Sequence, residues 1–204
     1  MYNQSIETSI IQIAAYLPRS TANGPGIRSV VWVQGCPLRC FGCFNPDFQL
    51  FNGGEAISTI VLSQRLLAEQ ATEGVSFSGG EPFAQAAALA EVACAMHAVD
   101  KGVLIFTGFY YESLQKKVDA GIQRLLAYTD LLVAGPYQQN LLCNHPLLAS
   151  SNQQLVYLTD RYRNVNLGTR RIEYHISNQG LITVTGFPNY ARTENLHRSN
   201  VTAT

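Results

Sequence analysis

This 204-residue sequence is poor in charge: Asp, Glu, Lys and Arg together make up 14% of it, against about 25% in an ordinary globular chain. The two signs cancel, 14 basic side chains against 14 acidic, so no overall field recruits nucleic acid or an anionic membrane. Long apolar runs are missing too. None approaches the roughly 20 residues of a membrane span, and Met1 to Ser9 lacks the basic-then-apolar order of a signal peptide. The expectation is a cytoplasmic protein with neither nucleic-acid nor membrane partners. No internal repeat, low-complexity tract or interdomain linker interrupts the chain. A chain of this length can bury roughly 70% of its unfolded surface in one domain without disulfides.

A disulfide framework is also absent. Five cysteines, an odd number in a chain expected to meet a reducing compartment, make poor disulfide candidates. Cys36, Cys40 and Cys43 cluster, whereas Cys94 and Cys143 stand alone. A spacing of four and three would suit a buried stripe on a helix, but Pro37, with Gly35 and Gly42 on either side, favours a loop. Three clustered thiols point to a metal site. They cannot complete a four-ligand structural zinc site, since the nearest histidine, His97, lies 54 positions past Cys43. They can hold three irons of a 4Fe-4S cluster and leave the fourth open.

Apolar patterning predicts strands at 9–16, 27–33, 75–78, 103–107, 130–134 and 155–158, with helices over 57–71, 83–98 and about 114–126. This alternation implies parallel crossovers, hence an α/β sheet, open or curled into a partial barrel. Past Gly135 the regularity fails, and 172–176 with 181–184, joined through Asn178-Gln179-Gly180, reads as a C-terminal β-hairpin. A single domain over 1–187 and a loose polar tail over 188–204 complete the expected organisation. Ligands bind such sheets at the carboxyl ends of strands, and the cysteine loop and Gly79-Gly80-Glu81-Pro82 each follow a strand directly. If those strands are neighbours, the thiols face the Gly-Gly turn.

Cys36-Pro-Leu-Arg-Cys40-Phe-Gly-Cys43 resembles the CxxxCxxC loop of radical S-adenosylmethionine enzymes, and Ser78-Gly-Gly-Glu-Pro82 resembles their GGE motif. Asn23-Gly-Pro-Gly-Ile-Arg28 and Val33-Gln-Gly-Cys-Pro-Leu-Arg-Cys40 are similar to the DGPGxR and QGCxxRC segments of activating enzymes for glycyl radical proteins, with Asn23 in place of Asp. Gly42-Cys43-Phe44-Asn45, Leu132-Val-Ala-Gly135 and Ser150-Ser-Asn-Gln153 resemble stretches of the anaerobic ribonucleotide reductase activases more than those of pyruvate formate-lyase. Ala134 stands where that group has Asp, and Leu148-Ala149 where it has Arg-Gly. The resemblance covers roughly residues 9 to 158.

That resemblance implies a partial (β/α) barrel of the radical SAM type, a 4Fe-4S cluster on Cys36, Cys40 and Cys43, and S-adenosyl-L-methionine against Gly42, Phe44, Gly79, Gly80 and Glu81. In such enzymes the open iron chelates the methionyl group, and reduction breaks the S–C5′ bond to give methionine and a 5′-deoxyadenosyl radical. The radical takes hydrogen from a glycine Cα of a large partner protein, and a flavodoxin- or ferredoxin-like protein is the implied electron donor. Glycines 79 and 80 would admit the methionyl moiety, Glu81 would accept from its ammonium group, and Gly42 and Phe44 would flank the adenine. Valine at position 80 is then expected to weaken S-adenosylmethionine binding with iron content near normal.

Two alternatives stand beside this reading: a radical enzyme acting on a small molecule, similar to the carboxydeazaguanine synthases, and a non-catalytic iron–sulfur or zinc-binding module. No catalytic side chain is expected beyond the cluster. Cys94 and Cys143 read as structural, and Arg161, Arg163, Arg170 and Arg171, interleaved with Tyr157, Tyr162 and Tyr174, as a solvated loop rather than a docking face.

Overall fold

A computed structural model describes residues 9–176, 179–180 and 182–187. Along the chain run β1 (Ile10–Ser20), β2 (Arg28–Val33), β3 (Glu55–Ser58), α1 (Thr59–Ala68), β4 (Gly74–Gly79), α2 (Ala86–His97), β5 (Gly102–Thr107), α3 (Tyr111–Gln115), α4 (Ala120–Ala127), β6 (Leu131–Ala134), β7 (Gln154–Tyr157), β8 (Ile172–Ile176) and β9 (Ile182–Gly186). Seven strands form one sheet in the order β3-β1-β2-β4-β5-β6-β7. Its centre, β2-β4-β5-β6, is parallel, as the crossover argument requires. Antiparallel strands flank it, with β1 on β2, β3 on β1 and β7 on β6. The sheet is open, with β3 and β7 as its edges.

The central strands are short apolar runs because both of their faces are covered. On one face Val31, Phe77, Val103, Ile105 and Leu132 pack with Leu62 of α1, Leu89, Val92 and Met96 of α2, and Leu125 of α4. Small residues bring two of these helices together, since a Cβ at Gly121 of α4 would press on the backbone of Ala87 in α2. Leu104, Leu131 and Val133 point the other way and pack with Leu147 and Tyr162, which come from loops rather than helices.

Two local expectations are corrected. Residues 55–58 are not the start of a helix but strand β3, with Ile57 paired to Ile11, and Ser58 caps α1 by accepting from the Val61 N–H. Ile60 and Val61, at helical spacing with Ile57, are exposed, and Thr59, Leu62 and Leu66 are the residues buried. The helix expected over 114–126 is two helices; Val118 between them is fully exposed, and Asp119 caps α4 by accepting from the Ile122 N–H. No helix among the described residues is long and apolar enough to cross a membrane. The expected tail over 188–204 lies outside the described residues.

At the amino ends of the parallel strands sits Arg28, fully buried. Its guanidinium donates to Ser76 Oγ at 2.8 Å, the carbonyls of Val75 and Gly102 at 2.6 and 2.9 Å, and the Tyr162 hydroxyl at 2.6 Å. The β8–β9 hairpin docks at the same end. Glu173 accepts from Ser20 Oγ, the Thr21 N–H and Thr21 Oγ1, while Asn23 donates to Thr185 Oγ1.

Burial alone would raise the Glu173 carboxyl, but the hydrogen bonds from Ser20 and Thr21 and the neighbouring His175 hold it below its ordinary value. A carboxyl depressed in this way stabilises the docked hairpin above its unfolded pKa, and the contribution is lost as pH falls through the folded value. Acidification below about pH 4, or Glu173→Gln at neutral pH, should therefore speed amide exchange in β8 and β9 ahead of β4 and β5. Hairpin protection that does not change with pH or with this substitution would contradict the assignment.

Candidate active site

The three cysteines lie on the connection from β2 to β3, an irregular loop and not a helix. Positive φ values at Gly35 (93°), Arg39 (51°) and Gly42 (69°) turn the chain back on itself. At Gly42 the turn demands glycine, because side chains rarely adopt that conformation. The two ends of the loop are tied together. Gly35 N–H donates to Phe48 O at 2.8 Å and Cys36 N–H to Gln49 O at 3.0 Å, while the Gln34 side chain donates to the carbonyls of Asp47 and Leu50.

The Gly-Gly-Glu turn follows β4, which neighbours β2, so the juxtaposition expected from sequence is present. Backbone bonds stitch the two segments together: Gly80 N–H donates to Val33 O at 2.7 Å and Glu81 N–H to Gly35 O at 2.8 Å. A Cβ at Gly80 would overlap the carbonyl oxygens of Gly35 and Phe48, and one at Gly79 would press on the backbone of Trp32 and Val33. The steric reason for glycine here is thus the close approach of the cysteine loop. Gly80→Val should consequently lower reconstituted iron as well as S-adenosylmethionine affinity, unlike the ligand-only loss expected from the sequence. Normal iron content in that variant would show that the loop yields without harm.

Glu81 is completely buried. Its carboxylate accepts from the Phe83 N–H (3.0 Å), Thr107 Oγ1 (2.8 Å) and the Gly108 N–H (2.9 Å), joining the carboxyl ends of β4 and β5. Desolvation pushes its pKa up to about 7, even though these three donors favour the ionised form. Desolvation likewise raises the Cys36 and Cys40 thiols, with Glu81 and a neighbouring thiol adding to the shift. Backbone N–H groups of Leu38 and Tyr137 partly offset it at Cys36 and Cys40 respectively.

The opposite wall comes from the loop after β6. Phe44 packs its ring on Tyr137 at 4.7 Å between centroids. Ser150-Ser-Asn-Gln153 holds this loop in place: Ser150 Oγ accepts from the Gln138 N–H, Asn152 donates to Pro136 O, and Gln153 donates to Gly135 O. Gln85 does the same at the other side, donating to Gln12 O and Gln34 O. In the sequence Gln34 is marked only as part of the QGCxxRC-like segment, and Gln85, Thr107 and Tyr137 carry no signal.

The isolated cysteines sit elsewhere. Cys94 is on α2 beside Tyr128, and Cys143 Sγ donates to Leu148 O at 3.6 Å. The arginines of 161–170 are engaged within the chain, Arg161 with Asp100 and Asp130, Arg163 with Asp160, and Arg170 with Phe187 O.

Among the described residues no three His, Cys, Asp or Glu side chains converge to grip a single ion. A 4Fe-4S cluster asks for something else, one thiolate on each of three separate irons. Three half-buried free thiols on one glycine-turned loop, two of them next to a buried carboxyl, fit that donor set.

Residues 22–157, well over half the chain, match the family described as "4Fe-4S single cluster domain", and the match takes in the three-thiol loop at the carboxyl end of β2. The anaerobic ribonucleoside-triphosphate reductase-activating protein of Vibrio cholerae is 31% identical over 134 residues, spanning 61% of this chain and 83% of the relative. Its counterpart in Enterobacteria phage T4 is 26% identical over 149 residues, covering 70% and 92%. Pyruvate formate-lyase-activating enzyme of Clostridium pasteurianum is 44% identical over 68 residues, 31% of this chain and 29% of that one. The chain belongs to the radical S-adenosylmethionine family of activating proteins.

Proposed function

We propose that this protein installs a glycyl radical on a larger partner protein, in the manner the names of its relatives describe. The observation that carries the reading is the pair of backbone bonds, Gly80 to Val33 and Glu81 to Gly35, that lock the Gly-Gly-Glu turn against the three-cysteine loop. In this reading Cys36, Cys40 and Cys43 hold the 4Fe-4S cluster, and Gly42, Phe44, Gly79, Gly80 and Glu81 bound the S-adenosylmethionine site. When bound, cluster and S-adenosylmethionine supply one-electron cleavage to a 5′-deoxyadenosyl radical able to abstract hydrogen.

The chain's own residues position and shield. Glu81, poised near neutrality by burial, becomes a fixed anion when an ammonium group approaches, because a nearby cation favours the charged form. Phe44, braced by Tyr137, offers a ring face for the adenine. Raised thiol pKa values mean that Cys36 and Cys40 release protons as iron binds. Curling of the open sheet into a partial barrel, a flavodoxin- or ferredoxin-like electron donor and a cytoplasmic setting belong to the same reading.

The test is anaerobic. The reconstituted protein alone should cleave S-adenosylmethionine slowly, and a glycine-centred electron paramagnetic resonance doublet should form only when an anaerobic ribonucleoside-triphosphate reductase or a pyruvate formate-lyase is added. Turnover of a small metabolite without any partner would favour the small-molecule alternative instead. Stable zinc without cleavage would favour the binding module.

A further inference from the structure

The stretch Cys40–Phe44 leans on the loop that follows β6. The Tyr137 ring packs on Phe44, and the Gln139 amide lies where a Cβ on Gly42 would stand. Between these two contacts the Tyr137 main-chain N–H donates to the Cys40 sulfur. Residues 135–153 contain no Asp, Glu, Lys or Arg, so this loop acts on the thiol through a main-chain dipole rather than a side-chain charge.

That N–H is aimed from behind. It belongs to the same planar peptide unit as the Pro136 carbonyl, which accepts from Asn152 Nδ2 at 2.7 Å. In a trans peptide the N–H and C=O point in opposite directions, so holding the carbonyl on Asn152 turns the N–H toward Cys40. A donor on the carbonyl also polarises the unit and makes its N–H the stronger donor. The next peptide is fixed too, because the fully buried Ser150 accepts from the Gln138 N–H at 3.1 Å.

A hydrogen bond donated to a ligating thiolate favours the more negative, reduced state of an iron–sulfur cluster. We infer that Asn152, seconded by Ser150, is a positioning residue for the cluster: it orients the Pro136–Tyr137 peptide on the Cys40 sulfur and thereby raises the cluster's reduction potential. The inference rests on the placement of the cluster on Cys36, Cys40 and Cys43, and adds what the distant Ser150-Ser-Asn-Gln153 stretch does for it.

The experiment is an anaerobic electrochemical titration of the reconstituted protein without S-adenosylmethionine, followed by electron paramagnetic resonance. Asn152→Ala should keep iron content near that of the wild type and shift the one-electron equilibrium about tenfold toward the oxidised cluster, a midpoint about 59 mV lower. Ser150→Ala should move it less and in the same direction. Leu142→Ala, a change on the exposed side of the same loop, should not move it. A loop that merely loosened would admit water, which favours the more highly charged reduced state and raises the midpoint. An unchanged or raised midpoint in Asn152→Ala therefore overturns the proposal while the activase reading stands. If Asn152→Ala takes up no cluster, the sign of the shift in Ser150→Ala decides in the same way, and loss of iron from both variants overturns the proposal. A wild-type protein that assembles no cluster overturns the activase reading itself.

Discussion

Replacing any one of Cys36, Cys40 or Cys43 by Ala should abolish the 4Fe-4S signal of the reconstituted protein, whereas Cys94→Ala and Cys143→Ala should retain it. Each of the three clustered thiols is the only protein ligand its iron would have, and the neighbouring Glu81 carboxylate is already held by Phe83, Thr107 and Gly108. Cys143 Sγ donates to Leu148 O and Cys94 lies beside Tyr128 on α2, so each already has a partner of its own. Absorbance and iron analysis of the five variants, reconstituted side by side, make the check. Loss of the cluster from either lone-cysteine variant, equal to that from the other three, would overturn the ligand assignment.

The second large effect is on stability. Arg28→Ala should destabilise the fold by about 3–5 kcal/mol, a large share of the 5–15 kcal/mol typical of a domain. The guanidinium is buried and, among the described residues, has no carboxylate partner. It is held by Ser76 Oγ, three main-chain carbonyls and the Tyr162 hydroxyl, and lies over the Tyr162 ring at 5.3 Å. Truncation leaves those acceptors facing a void at the junction of β2, β4 and β5. Gly74 shows how tightly the place is filled, since a Cβ there would meet both the Gly102 carbonyl and the guanidinium. Arg28→Lys restores the charge but not the fork of donors and should recover only part of the loss. Denaturant midpoints at unchanged slope measure both variants; a change below about 1 kcal/mol for the alanine variant would show that water or repacking replaces the side chain.

Much of this was legible in the sequence, because the readable features are local. The cysteine loop shows itself by Pro37 and its glycines, the Gly-Gly-Glu turn by its place after an apolar run, and the parallel centre by strand–helix alternation. What could not be read depends on contacts distant along the chain. Ile57, Ile60 and Val61 are spaced as in a helix, yet Ile57 is claimed by Ile11 across a ladder that local patterning does not encode. Val118 fits an apolar stripe, but Asp119 finds a better use as a cap and breaks the helix ahead of it. Gly80 was read as making room for a ligand, when the nearest neighbours of its missing side chain are carbonyls more than thirty positions away in the chain. Asn23, where an Asp is usual, donates to Thr185, a residue in the hairpin beyond the family match.

The ties along the cysteine loop bear on how the protein matures. Gly35, Cys36, the Gln34 amide, Gly80 and Glu81 anchor the loop through bonds that involve no metal. The ordering entropy of those residues is therefore met when the polypeptide folds rather than when iron arrives. Should Cys36, Cys40 and Cys43 hold the cluster, iron and sulfide would enter a loop whose ends are already anchored, and their removal should leave amide protection at Gly35, Cys36, Gly80 and Glu81 in place.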